Sequence, residues 1–219
     1  MLESIPTKGR TLDHAAGVYD LVEPLILLGK EKTINENLIR LLTLRTTDKI
    51  LDVGCGTGVL TGMISKKLDA GKAGLVTGID AAAKMIEGAR KKRKSTTCRF
   101  EVAAAENIPF EDNTFDSAIS TLFFHHVDLN LKQKTLSEIW RVLKPGGRLV
   151  ISDMHRPATF MGKLVSHVSR WLLFQPEIGE NIRGVLPPLI EMAGFDPPML
   201  HAMYFGYIAV FSSQKPVRS

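Results

Sequence analysis

A run of aliphatic and β-branched residues, Lys49-Ile50-Leu51-Asp52-Val53, ends in Gly54-Cys55-Gly56-Thr57-Gly58 and passes at once into a stretch with helical spacing. Glycines at alternate positions let a chain turn sharply and let a ligand approach the backbone with no Cβ in the way. A strand, a glycine turn and a helix in succession open a βαβ unit, and the alternation continues. Strands are expected at Lys49–Val53, 74–79, 98–103, Phe115–Thr121 and 147–152, with a final pair at 200–204 and 207–212. This order specifies an α/β fold with a doubly wound, mostly parallel sheet. Between the fourth and fifth strands, Leu136, Ile139, Trp140 and Leu143 share a helix face. Asp128 or Asn130 can cap that helix, and Pro145-Gly146-Gly147 is expected to end it.

At 219 residues, one domain spanning 1–219 is expected. Its parts are a helical cover at 12–43, a ligand-binding core at 48–153, a lid or substrate segment at 154–193 and closing strands at 194–219. With 44% hydrophobic and 23% charged residues, the chain has the material for a packed core. No apolar run has the length of a membrane span, the first ten residues do not read as a secretion signal, and two cysteines make no disulfide framework. A cytoplasmic protein is the expectation. The net charge of +5 comes from one run, Arg90 to Lys94; without it Lys and Arg equal Asp and Glu at 23. The run reads as a solvated helix end, where cations oppose the macrodipole.

Charge discriminates among ligands for the glycine turn. A dinucleotide places an anionic pyrophosphate on G-x-G-x-x-G, whereas here the third glycine is Gly58 and position 59 is valine. Asp52, two residues before Gly54, would repel pyrophosphate and would favour a ligand bearing an ammonium and a sulfonium, as S-adenosylmethionine does. Asp80 closes the second strand, where a carboxylate can accept ribose hydroxyls. An NAD-linked oxidoreductase would use that acid too and stands as an alternative, as does a cofactor-binding protein without turnover.

The glycine segment, Gly78-Ile79-Asp80-Ala81, Glu106-Asn107-Ile108-Pro109-Phe110 with Asn113-Thr114-Phe115-Asp116, and Leu143-Lys144-Pro145-Gly146-Gly147 resemble the class I S-adenosylmethionine-dependent methyltransferases. Within these the chain is most similar to the ubiquinone/menaquinone-biosynthesis C-methyltransferase group. The resemblance implies a Rossmann-like seven-stranded sheet with its last strand antiparallel, and a transferase that uses S-adenosyl-L-methionine. It implies that Gly54, Gly56 and Gly58 line the methionine and ribose, that Asp52 faces the amino group, and that Asp80 holds the ribose with Ala81 against the adenine. Ala104, Ala105 and Glu106 would cover the adenine's other side. The family's common Asp is Ala104 here, so adenine recognition falls to the backbone near Ala105 and to Glu106. Ser120 and Thr121 would close the methionine pocket, and Tyr19 and His14 lie on the presumed N-terminal lid.

Methyl transfer needs donor and acceptor held in line, and a base when the acceptor must lose a proton. His125 and His126 are the candidates, with His126 preferred because the family often has histidine there. His155, His167 and His201 read as structural. Ser120-Thr121-Leu122-Phe123 is not the Asn/Asp-Pro-Pro-Tyr/Phe of enzymes that methylate nucleic-acid bases, so no nucleic-acid partner is expected, and Asp196-Pro197-Pro198 reads as a turn. No acidic cluster marks a metal site. Phe160, Met161, Leu164, Val165, Val168, Trp171 and Leu172 share an amphipathic stretch that packs as core, walls an apolar acceptor pocket or meets a membrane surface. A small-molecule acceptor, hydrophobic or lipid-like, is favoured over a polar one.

Overall fold

The computed structural model describes residues 3–6, 29–172 and 177–217, the side chains of 167–172 excepted. In chain order the elements are α1 (Glu31–Leu41), β1 (Lys49–Val53), α2 (Val59–Ser65), β2 (Leu75–Asp80), α3 (Ala83–Arg93), β3 (Cys98–Val102), β4 (Phe115–Thr121), α4 (Leu129–Val142), β5 (Leu143–Met154), α5 (Phe160–Leu172), α6 (Ile178–Asn181), α7 (Leu186–Met192), β6 (Met199–Tyr204) and β7 (Ile208–Gln214). They form one seven-stranded sheet in the order β3-β2-β1-β4-β5-β7-β6. Strands β1 to β5 run parallel, and β7 is antiparallel to both β5 and β6. The order reverses direction between β1 and β4, so a crevice opens beyond the carboxyl ends of those two strands, where doubly wound folds take their ligands.

Alternation along the strands divides the core between the two faces. Ile50 joins Leu38, Ile64, Ile86, Phe100 and Val150, under α1 to α3. Its neighbours Leu51 and Val53 join Leu136, Ile139, Leu149 and Ile190, under α4 and α7. The helix α4 starts where its sequence places a cap: the Asp128 carboxylate accepts from Leu131 N–H at 2.8 Å. Its end differs from expectation. The helix stops at Val142, and Leu143, expected on its face, begins β5, which carries Pro145-Gly146-Gly147 within it. Gly146 takes φ +78° and the pairing jumps from Phe115–Leu143 to Ser117–Arg148, so an irregular strand absorbs the turn.

What stabilises that junction comes from the far end of the chain. Lys215 is 5% exposed; its ammonium donates to the carbonyls of Trp140 (2.8 Å) and Leu143 (2.7 Å) and to Asn113 Oδ1 (3.0 Å), and lies 4.0 Å from the centroid of the Trp140 ring. A cation thus closes the C-terminal end of α4, where orphan carbonyls accumulate.

The basic run divides. Arg90 donates twice to Phe100 O (2.9 and 2.7 Å) and Arg93 donates to Thr57 O (2.9 Å), tying α3 to β3 and to the glycine turn, while Lys91 and Lys94 are exposed. In α5, Phe160, Met161, Leu164 and Val165 are not core: they are 79%, 61%, 48% and 36% exposed. Its buried face comes instead from Gly162, whose added Cβ would lie 2.6 Å from Gly206 O, and from Ser166. Among the described residues no helix is long and apolar enough to cross a membrane.

Replacing Lys215 with Met strands the buried Leu143 carbonyl and the half-buried Trp140 carbonyl. We expect a loss of about 2–4 kcal/mol in urea unfolding, against a change within about 0.5 kcal/mol for the exposed Lys91→Met.

Candidate active site

Three segments meet at the carboxyl ends of β1, β2 and β4. In the first, Gly54, Gly56 and Gly58 all have positive φ (+71°, +54° and +79°), the left-handed region that glycine enters without strain. For two of them the protein's own packing also forbids a side chain. A Cβ on Gly54 would lie 2.5 Å from the Phe123 ring, and one on Gly58 would lie 2.4 Å from the Phe100 ring. Gly54 to Gly56 are partly open, whereas Gly58 is buried and starts α2.

The second segment is the end of β2. Asp80 Oδ2 accepts from Gly56 N–H (3.0 Å) and Oδ1 from Ala82 N–H (2.9 Å), while Ile79 O accepts from Gly54 and Cys55 N–H (2.9 and 3.0 Å). The turn is therefore folded back on β2. Ala103 N–H donates to Asp80 O (3.0 Å), which brings Ala104, Ala105 and Glu106 beside the same corner. The chain's N-terminal stretch reaches it too: Ile5 N–H donates to Ala81 O (3.1 Å), and the Ser4 hydroxyl accepts from Ala83 N–H (2.9 Å) at the start of α3. Sequence spacing carried no sign of that contact.

Beneath the turn lies Asp52, 1% exposed. Its Oδ2 accepts from the Thr61 hydroxyl at 2.6 Å, and its Oδ1 is buried with no hydrogen-bond partner. Burial pushes the carboxyl up from the usual 3.8 to about 7; Thr61 opposes the rise and the Asp80 charge adds to it. The unpaired oxygen fits a cationic group of a bound ligand, as the sequence suggested for the ammonium of S-adenosylmethionine. Cys55 and Cys98 are free thiols whose titration burial raises, Cys98 to about 12, so both stay protonated at neutral pH.

The third segment follows β4. Ser120 is fully buried and its hydroxyl donates to Val53 O (2.9 Å), locking β4 to β1 at the crevice floor. Phe123 covers Gly54, and the 3-10 turn Phe124–His126 presents the two histidines, with ring centroids 3.9 Å apart. His125 Nδ1 lies 2.8 Å from Asp153 Oδ1, a carboxylate with no exposure at the end of β5. Asp153 also accepts from Phe124 N–H (2.6 Å), Met154 N–H (2.7 Å) and Asn181 Nδ2 (3.2 Å). Sequence reasoning passed over Asp153 and Asn181, yet an acid directly after Leu149-Val150-Ile151-Ser152 is the available signal: a charge at the carboxyl end of a buried strand is expensive unless it is used.

Of the other singled-out residues, Tyr19 and His14 lie outside the described residues, as does the His167 side chain. His201 Nε2 pairs with Ser212 Oγ (2.7 Å) and His155 stacks edge-on against Phe211 at 5.0 Å. Burial, with the Arg156 charge, lowers His155 from its usual 6.5. No group of three or more potential metal ligands occurs among the described residues.

The Asp52 burial sets a pH dependence. Its folded-state titration lies above its unfolded one, so its contribution to stability is complete below about pH 4 and is lost as pH rises through about 7. Asp52→Asn should abolish that fall. Over pH 4 to 8 the unfolding free energy of the wild type should drop relative to the variant by up to about 4 kcal/mol, measured by denaturant titration without ligand.

Residues 51–151 match the methyltransferase domain family Methyltransf_11. The chain is 31% identical over 224 residues to the ubiquinone/menaquinone biosynthesis C-methyltransferase UbiE of Pseudomonas savastanoi, covering 92% of this chain and 86% of that one. It is 32% identical over 168 residues to the demethylmenaquinone methyltransferase of Thermotoga maritima, covering 75% and 70%. In fold it is similar to the methyltransferase solved with the Haloferax volcanii Trm112 activator, with a TM-score of 0.71 at 16% identity over 94% of this chain and 99% of that one. These matches do not favour the oxidoreductase reading. With a glycine turn, an acidic strand end and a post-β4 segment meeting at the switch point, the chain belongs to the class I S-adenosylmethionine-dependent methyltransferases, enzymes that use S-adenosyl-L-methionine, and is similar there to the ubiquinone/menaquinone-biosynthesis C-methyltransferases.

Proposed function

We propose that the chain methylates a ring carbon of a small hydrophobic acceptor, a prenylated hydroquinone, and that the cofactor sits on the glycine turn. When bound, S-adenosylmethionine supplies a methyl group already activated by its sulfonium. The observation that carries the cofactor placement is the unpaired, buried Oδ1 of Asp52. A cation above it would return the carboxyl to its charged form and satisfy an oxygen that costs free energy while unpaired. A carboxylate has about four acceptor sites, so Asp80 can hold the turn and take ribose hydroxyls together. Ala81 and Ala105 would border the adenine, beside Ile5.

The acceptor reading is supported by two things. Relatives named for ubiquinone, menaquinone and demethylmenaquinone chemistry are 31–32% identical to this chain. On α5, Phe160, Met161, Leu164 and Val165 form an exposed apolar flank with the exposed Lys163 among them, a pattern suited to a lipid-like acceptor or to peripheral contact with a membrane surface. Trp171, whose side chain is outside those described, belongs to the same helix.

Two measurements test this. Calorimetry in buffers of different ionisation enthalpy should show about one proton released on binding S-adenosylmethionine at pH 6, where the ligand's amino group is already charged and Asp52 is largely protonated. Asp52→Asn should release none at that pH, and equal release by both proteins would remove Asp52 from the site. Second, tritiated methyl from S-adenosylmethionine should pass to a short-chain 2-prenyl-1,4-naphthohydroquinone and not to sarcosine or phosphoethanolamine. Label in a polar acceptor instead would overturn the hydrophobic-acceptor reading.

A further inference from the structure

We infer that His125 is the proton-accepting residue of the acceptor site, and that Asp153, steadied by Asn181, is the positioning residue that fixes its tautomer; this rests on the hydroxyl-bearing acceptor proposed above. The argument begins with the donors around Asp153. Two backbone N–H groups, from Phe124 and Met154, and the Asn181 amide all point at a carboxylate that has no exposure. Asp153 is used as an acceptor on every side, so the fourth neighbour, His125 Nδ1 at 2.8 Å, is a donor as well. The lone pair is then on Nε2. Asn181 is held in turn, since its Nδ2 also donates to Met154 O (3.2 Å).

Nε2 has no hydrogen-bond partner and is not sealed from solvent, because the buried, unpartnered polar atoms do not include it. The His125 side chain retains 11% exposure. It leaves the turn that directly follows β4, two residues after the Phe123 ring that lies on Gly54. Among the described residues, the other titratable or charged groups in contact at this turn include His126 beside it and, from α4 and α6, the Lys132–Glu180 pair, whose lysine also donates to Val127 O (2.6 Å). His126, preferred from sequence, stacks beside the His125 ring, and it is His125 whose Nδ1 meets the Asp153 carboxylate.

For a hydroxylated aromatic acceptor the chemistry balances as follows. The hydroxyl proton passes to Nε2, giving an imidazolium that faces Asp153. The electron pair left on oxygen is delocalised to the ring carbon beside it, which forms the new C–C bond as the methyl–sulfur bond breaks and leaves its pair on sulfur. That carbon then loses its hydrogen as a proton, the oxygen regains one, and one proton in total goes to solvent.

The test is made on the full-length protein with S-adenosylhomocysteine bound. Long-range proton–nitrogen correlation spectra of the histidine rings should show His125 protonated on Nδ1 in the wild type and shifted toward the other tautomer in Asp153→Asn. In His125→Asn the amide nitrogen stands near the position of Nδ1 and keeps the contact with Asp153 without supplying a base. This variant should retain its melting temperature and its affinity for S-adenosylhomocysteine. Its single-turnover methylation of 2-prenyl-1,4-naphthohydroquinone at pH 7 should be at least about 100-fold slower, and the acidic limb of the pH–rate profile should be missing. A wild-type His125 protonated on Nε2, or wild-type turnover with an unchanged profile in His125→Asn, overturns the inference. If the wild type does not methylate the probe, the acceptor reading falls, while the tautomer and its dependence on Asp153 still decide the positioning role. Should Asp153→Asn fail to fold, the wild-type tautomer and His125→Asn carry the test.

Discussion

The Asp80 carboxylate is the interaction on which the rest of this site depends. One of its oxygens accepts from Gly56 and the other from Ala82, so the turn after β1 and the turn after β2 are bound to a single group. With Gly54 and Cys55 donating to Ile79 O, the glycine turn is pulled back over the sheet end. That places it directly above Asp52, which the same fold has buried with one oxygen unpaired. The two acids then act on each other: Asp80 contributes to the rise in Asp52's titration, behind burial itself. A ligand bearing positive charge relieves both costs, whereas an anionic pyrophosphate would add to them.

A second polar cluster lies across the crevice under the turn after β4, and it is built on the same plan. Asp153 lies one residue before the end of β5 as Asp80 lies at the end of β2, and each gathers backbone N–H groups beside it. The sheet order brings both ends to one crevice, with Ser120 and Val53 as its floor. Rigid strands therefore carry the polar groups of both halves, and the apolar flank of α5 stands outside them. Such an arrangement suits a reaction whose main requirement is that two molecules be held in line.

Much of the fold was legible in the sequence because its signals are local. Lys49–Val53 and Phe115–Thr121 were expected as strands and are found with those bounds, and Asp128 caps α4 as its position indicated. The end of α4 was misread because Pro145-Gly146-Gly147 carries a stop signal whose outcome depends on pairing with β4 and on Lys215, about 70 residues further on. The glycines were recognised, but part of the reason for them was not: Gly54 and Gly58 must be bare because Phe123 and Phe100, distant in sequence, occupy the space. Spacing alone left the apolar residues of α5 as core, pocket wall or membrane contact, and the packing of Gly162 against Gly206 shows which face is turned inward. Asp153 was missed because a carboxylate acquires meaning from the donors that the fold delivers to it.

The central claim is that the Asp80 clasp builds the cofactor site, and one titration addresses it most directly. Isothermal calorimetry of S-adenosylhomocysteine into wild type and Asp80→Ala, at a pH where both are folded, compares the site with and without the clasp. Losing charge-assisted hydrogen bonds both within the turn and to the ligand should weaken binding by at least about 10-fold, since each such bond is worth about 1.5–3 kcal/mol. A folded variant that binds with the wild-type dissociation constant would contradict the account.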